Sequence, residues 1–147
     1  MDFTDAANGF RGPFNEYVGL VFDHASNERV EGHADLGARH QQPYGIVHGG
    51  VYATLIEAAC STGAAADAMT RNMHAVGAEN STSFLRAFRE GRVSVLATPL
   101  HRGRRTQVWR GEVRDPEGRL LAEGRVRCIC LDQDAGLAGE TVGVKEG

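Results

Sequence analysis

Lysine is almost missing from this chain. Lys145 is the only one in 147 residues, so nearly all positive charge is arginine, which makes forked contacts with phosphate and carboxylate that lysine cannot. Cysteine is scarce too. Cys60, Cys128 and Cys130 are an odd number, and Cys128-x-Cys130 places two thiols on one strand face rather than in a metal knuckle, which predicts buried free thiols in a reducing compartment. No constellation of ligands points to a metal or to redox chemistry. The longest apolar segment, Val51 to Ala66, is broken by Thr54, Glu57, Ser61 and Thr62, and the opening Met1 to Asp5 is acidic. Both features predict a soluble, cytoplasmic protein with no membrane partner. Aromatic residues are few in the arginine-rich half, which argues against nucleic acid as a partner.

The net charge of −3 hides an uneven distribution. Residues 1 to 70 hold nine acids and three arginines, residues 71 to 131 hold twelve arginines and six acids, and the remainder carries −3. The middle of the chain is therefore cationic. At this length one domain can bury a core without disulfides.

Residues 1 to 16, with Asn8-Gly9 and Gly12-Pro13, are expected to be an irregular lead-in. Alternation predicts strands over Tyr17 to His24 and Arg29 to Leu36, with a turn at Ser26-Asn27 and a loop from Gly37 to Val47. Gly49 to Met69 reads as one long helix, apolar on nearly all sides and so wrapped by other structure. Four extended runs follow: His74 to Ala87, Arg92 to Arg102, Thr106 to Asp115 and Arg119 to Leu131. The segment 132 to 147 lacks periodicity and is expected to be a mobile tail. A buried helix with about six antiparallel strands is an α+β arrangement, the sheet curled around the helix.

Within the helix Glu57 is the single charge in an apolar stretch, costly unless used or paired. Gly50, Thr54, Glu57 and Ser61 recur at helical spacing and form one small or polar stripe, suited to line a cleft or to pack a second helix. The turn before it, Tyr44-Gly45-Ile46-Val47-His48-Gly49-Gly50, delivers two glycines to the helix start. There, unpaired N–H groups and the positive end of the dipole can hold an anion.

This turn, with Asn80 to Arg86 and His101 to Thr106 after it, resembles the hotdog-fold acyl-CoA thioesterases over Tyr17 to Leu131. Within them it is most similar to the branch acting on aromatic acyl-CoAs, hydroxybenzoyl-CoA and dihydroxynaphthoyl-CoA thioesterases. That branch has glutamine, histidine, glutamate and a small hydroxyl residue at the spacing of Gln42, His48, Glu57 and Ser61. The resemblance implies a hotdog domain over residues 17 to 131 that hydrolyses a small acyl-CoA, with coenzyme A as part of the substrate and no separate cofactor or metal. Glu57 would then act as nucleophile or general base, while the N–H groups of Gly49 and Gly50 polarise the carbonyl. Gln42 could hold water or the carbonyl; His48 could orient the thioester or cap the helix; Ser61 could orient the carboxylate. For the phosphates of coenzyme A, Arg86 and the turn carrying Arg102, Arg104, Arg105 and Thr106 are the natural ligands. A non-catalytic acyl-CoA sensor and an acyl-thioester hydratase are the rival readings; the second lacks its Asp and His pair here. Gly49 and Glu57 stand about 12 Å apart along one helix, too far to serve one carbonyl, so two-fold paired helices and at least a dimer are expected. Many members of this family are tetramers.

Overall fold

The computed structural model describes residues 1–145. Two short helices, α1 (Thr4–Gly9) and α2 (Pro13–Val18), stand where an irregular lead-in was expected. Gly12-Pro13 reads as a turn, yet Pro13 occupies the first helical turn, where its missing N–H costs nothing. Gly19 (φ 90°) then stops α2 in the left-handed region, and its N–H returns to Asn15 and Glu16. The expected strand from Tyr17 is therefore shortened to β1 (Val21–Ala25). β2 (Val30–Leu36) pairs with it, and a single 3₁₀ turn, Ala38–His40, interrupts the loop that follows.

The central helix, α3 (Gly49–Met69), has the bounds its sequence predicts. His48 caps it: Nδ1 accepts the Gly50 N–H at 2.8 Å. After α3 come β3 (Met73–Phe84), β4 (Gly91–Arg102), β5 (Thr106–Arg114) and β6 (Leu120–Asp132). The six strands form one antiparallel sheet in the order β1-β2-β4-β5-β6-β3. This is the hotdog arrangement, with α3 lying against the sheet. In the tail, β7 (Gly136–Leu137) and β8 (Glu140–Thr141) make a small hairpin where no periodicity was visible. Its two-residue turn holds Ala138 at φ 50°, a position for which alanine gives no sequence signal. Residues 146 and 147 of the expected tail lie outside the described residues.

The core forms where α3 meets the sheet. Leu55, Ile56, Ala59 and Cys60 are buried against Val93, Trp109, Val113 and Val126. All three cysteines are free and buried. Gln107 is fully buried but satisfied: its Nε2 donates to Ala64 O (3.1 Å) and its Oε1 accepts from Trp109 Nε1 (2.9 Å). Trp109 packs against Gly63, where a Cβ would meet three ring carbons at 2.4, 2.5 and 2.9 Å. Gly63→Ala gains about 1 kcal/mol in helix propensity, but overpacking against a ring that cannot move costs about 3 kcal/mol. A net loss of about 2 kcal/mol follows from these two terms. Thermal unfolding of Gly63→Ala should show a Tm lower by several degrees; an unchanged Tm would mean that Trp109 has room to shift.

The helix is not wrapped on every side. Ala53, Thr54, Glu57 and Ser61 are only half-buried, and the strand beside them, β3, is the exposed edge of the sheet. The stripe of small and polar residues therefore faces open space.

Candidate active site

Glu57 sits on that open stripe, and both of its carboxylate oxygens are held. Ser61 Oγ, one turn further on, donates to Oε1 at 3.2 Å. Asn80 Nδ2, from β3, donates to Oε2 at 3.0 Å and to Ala53 O at 3.1 Å. The amide is itself oriented, because Thr82 Oγ1 donates to Asn80 Oδ1 at 2.6 Å. Two helical and two strand residues thus fix one carboxylate from opposite sides. Thr54, on the same stripe, does not join them; its hydroxyl donates to Gly50 O at 2.8 Å.

Gly77 explains how β3 comes so close. A Cβ there would lie 2.1 Å from Glu57 Oε1, so only glycine leaves room for the carboxylate. The pairing of β3 with β6 shifts register between Gly77 and Glu79, a bulge placed beside the site. Under the carboxylate lie two thiols. Burial, then the Glu57 charge, pushes the Cys128 thiol up to about 11, against a smaller lowering by the nearby Ser61 hydroxyl. Burial likewise raises Cys60, with smaller contributions from Cys128 and Glu57. Both stay protonated at neutral pH and are poor nucleophiles.

Glu57, Ser61, Asn80, Thr82, Phe84 and Phe14 line a cleft of about 680 Å³. Phe84 also borders a second cleft of about 290 Å³, which holds Gln42, Gly49 and Arg86. Its ring lies on Gly49, where a Cβ would meet it at 2.4 Å. The residues expected to act together are therefore split among three neighbouring clefts: Glu57 and Ser61 in the first, Gln42 and Gly49 in the second, and His48 and Gly50 in a third that shares Phe14 and Thr54 with the first. Gln42 Oε1 accepts the Tyr44 N–H. His48 is exposed and caps the helix, which occupies the Gly50 N–H and leaves Gly49, the first helical residue, with an N–H that has no intrahelical acceptor.

The arginines divide likewise. Arg86 lines the cleft at the start of α3, whereas Arg102 to Thr106 lie at its far end. There Arg71 Nη1 donates to Gly103 O and Arg104 O, both at 3.2 Å. Arg102 is engaged as well, donating to Asn27 O at 2.8 Å and standing 3.9 Å from Asp67. Arg104 and Arg105 are exposed, and Thr106 opens β5. Sequence reasoning singled out neither Gly77 nor the role of Asn80. The available signal was alternation: Asn80, Thr82 and Phe84 share one face of an extended run.

The family model described as "Thioesterase superfamily" matches residues 44–122. The 1,4-dihydroxy-2-naphthoyl-CoA hydrolase of Escherichia coli K12 is 34% identical over 117 residues, which is 78% of this chain and 84% of that protein. The proofreading thioesterase EntH of Cronobacter sakazakii is 32% identical over 122 residues, covering 82% of this chain and 87% of that protein. Among solved structures, thioesterase HI1161 from Haemophilus influenzae is similar with a TM-score of 0.81 and 25% identity, over 88% of this chain and 90% of that one.

Proposed function

The chain belongs to the thioesterase superfamily and is a hotdog-fold thioester hydrolase; from that premise we propose that it releases a small aromatic acid from coenzyme A, with Glu57 as the catalytic carboxylate. The observation that carries the assignment is the doubly held Glu57 at the wall of an open cleft. A carboxylate fixed in one orientation loses little freedom when it attacks, so positioning lowers the barrier. The aromatic preference is supported by the phenylalanines that border the cleft and by the dihydroxynaphthoyl-CoA hydrolase among the relatives.

In this reading the thioester carbonyl accepts the Gly49 N–H at the positive end of α3, which stabilises the developing oxyanion. Glu57 either attacks the carbonyl carbon, giving an acyl anhydride that water then opens, or removes a proton from the attacking water. In both routes the C–S bond breaks and coenzyme A leaves as the thiolate. Gln42, beside Gly49, steadies the carbonyl or the water, His48 holds the helix start in place, and Ser61 holds Glu57. Coenzyme A arrives with the substrate, so no separate cofactor is required. Arg86 and the Arg102, Arg104, Arg105 and Thr106 turn bind its phosphates, each at its own end of the helix. The working unit is a homodimer, which can pair further into a tetramer. Two-fold related helices bring Gly49 of one subunit to Glu57 of the other, and the exposed edge strand β3 supports such pairing. The hotdog domain spans residues 17 to 131 and works in the cytoplasm, and no described helix is long and apolar enough to cross a membrane.

The test is thiol release from a matched panel of acetyl-, octanoyl-, benzoyl- and naphthoyl-CoA. The aryl thioesters should exceed the others in kcat/KM by at least about tenfold. Faster turnover of acetyl- or octanoyl-CoA would overturn the aromatic assignment.

A further inference from the structure

Arg71 stands just past the end of α3, where a cation ordinarily takes the free carbonyls of its own helix. Its guanidinium goes elsewhere. Nη1 donates to Gly103 O and Arg104 O, both at 3.2 Å, in the turn between β4 and β5. Nη2 donates to Asp67 Oδ2 at 3.0 Å and reaches Cys130 Sγ at 3.7 Å. Asp67 is buried in the last turn of α3, where the helix dipole disfavours an acid. The guanidinium that it fixes offsets that cost.

The consequence lies in the turn. Each of its four carbonyls has a donor: Gly103 O and Arg104 O from Arg71, Arg105 O from the Cys130 N–H at 2.8 Å, and Thr106 O from the Gly103 N–H at 3.0 Å. A trans peptide directs its C=O and N–H oppositely. The peptides that turn their oxygens to Arg71 therefore turn the Arg104 and Arg105 N–H groups away from it. Neither N–H has an acceptor among the described residues. Gly103 keeps the turn tight, since a Cβ there would lie 2.7 Å from Thr106 O. The side chains of Arg104 and Arg105 are exposed and form no ion pair among the described residues. Two adjacent N–H groups without acceptors, flanked by two unpaired guanidinium groups, suit a phosphate.

Resting on the assignment of this turn to the phosphates of coenzyme A, we propose that Arg71 is a positioning residue for nucleotide binding. Held by Asp67, it keeps two carbonyls turned inward, so that the turn meets phosphate with N–H groups. Arg71 does not itself bind phosphate, because both of its Nη groups are committed to acceptors in the protein. Its loss frees the carbonyls of Gly103 and Arg104, and a carbonyl oxygen that faces a phosphate repels it. The effect is confined to substrates that carry the nucleotide. Asp67 lies ten residues beyond Glu57, about 15 Å along the helix, so the clamp is remote from the reacting carbonyl.

The experiment takes the acyl group that the intact protein hydrolyses fastest and compares its coenzyme A thioester with its N-acetylcysteamine thioester, which has the same reacting bond and no phosphate. The proteins are the intact chain, Arg71→Met, Arg71→Lys and the double variant Arg104→Ala/Arg105→Ala, with melting curves alongside. Arg71→Met should raise KM for the coenzyme A thioester at least about tenfold, with kcat within about twofold. Its kcat/KM for the N-acetylcysteamine thioester should stay within about twofold of the intact protein. Arg71→Lys keeps the charge and the pairing with Asp67 but cannot fork across both carbonyls, so KM for the coenzyme A thioester should still rise at least about threefold. That arm separates geometry from charge and decides the matter even if Arg71→Met unfolds. Equal losses on the two thioesters in either Arg71 variant would make Arg71 a structural residue and overturn the proposal, as would an unchanged KM in Arg71→Lys. The double variant tests the reading beneath it. An unchanged KM for the coenzyme A thioester there would refute the turn as a phosphate site, whereas a rise there without one in Arg71→Lys would refute only the role of Arg71.

Discussion

Glu57→Gln should lower kcat for aryl-CoA hydrolysis at least about a hundredfold while KM changes little. The amide keeps the length and shape of the side chain, and its oxygen can still accept from Ser61. What it loses is the negative charge and the lone pairs that attack carbon or take a proton from water. Asn80 adds a local conflict: its amide is already oriented by Thr82 and Ala53, so it presents an N–H toward one end of the new side chain. Because the position is only half-buried, that conflict should be relieved by solvent, and the melting temperature should stay close to that of the intact protein. Thiol-release kinetics with a melting curve decide the point. A variant that keeps a third or so of the activity would place the chemistry elsewhere.

A dead site should be revived by mixing two inactive proteins. Gly49→Pro removes the N–H assigned to the carbonyl, and the backbone accepts it: the first helical position favours proline, and His48 before it is extended at φ −63°, ψ 132°. The exposed ring of Phe84 must move to admit the proline ring. Alone, this variant should fall about a hundredfold, in the range measured for loss of an oxyanion donor. Co-refolded one to one with Glu57→Gln, half of the dimers are mixed if subunits assort freely. Each mixed dimer holds one site with both Gly49 and Glu57 intact, so about a quarter of the original activity should return. The separation of about 12 Å along one helix is what requires this result. Activity of the mixture no higher than that of its components would place both groups in one subunit and sink the dimeric site.

The parts of the fold that were legible carry a strong local period. α3 was readable because a largely apolar run of Ala, Leu and Ile, with few polar interruptions, follows a His-Gly-Gly entry, and β4 to β6 because alternation is punctuated by Gly103 and by Asp115 to Gly118. The N-terminal helices were illegible for the opposite reason. Each is six residues long, too short to display a helical period, and each is held by tertiary contacts, as where Thr4 Oγ1 accepts the Ala25 N–H and Asn8 bonds both ways with Phe22. The N-terminal segment also walls a hollow beside α3, which was hidden together with it.

The sequence alone determined the long helix, the strand series, the arginine-only charge and Glu57 as the conspicuous carboxylate, since each is a property of neighbours along the chain. Tertiary structure decided what lies against what. It placed β3, which follows α3 directly, at the far edge of the sheet beside β6, and so brought Asn80 and Gly77 to a carboxylate twenty or more residues earlier. It separated Gln42 and Gly49 from Glu57 into adjoining clefts, and Arg86 from Arg102 to Thr106 by the length of a helix. The reason is geometric: spacing in sequence sets which residues share a face of one element, but the crossing of elements sets which faces meet.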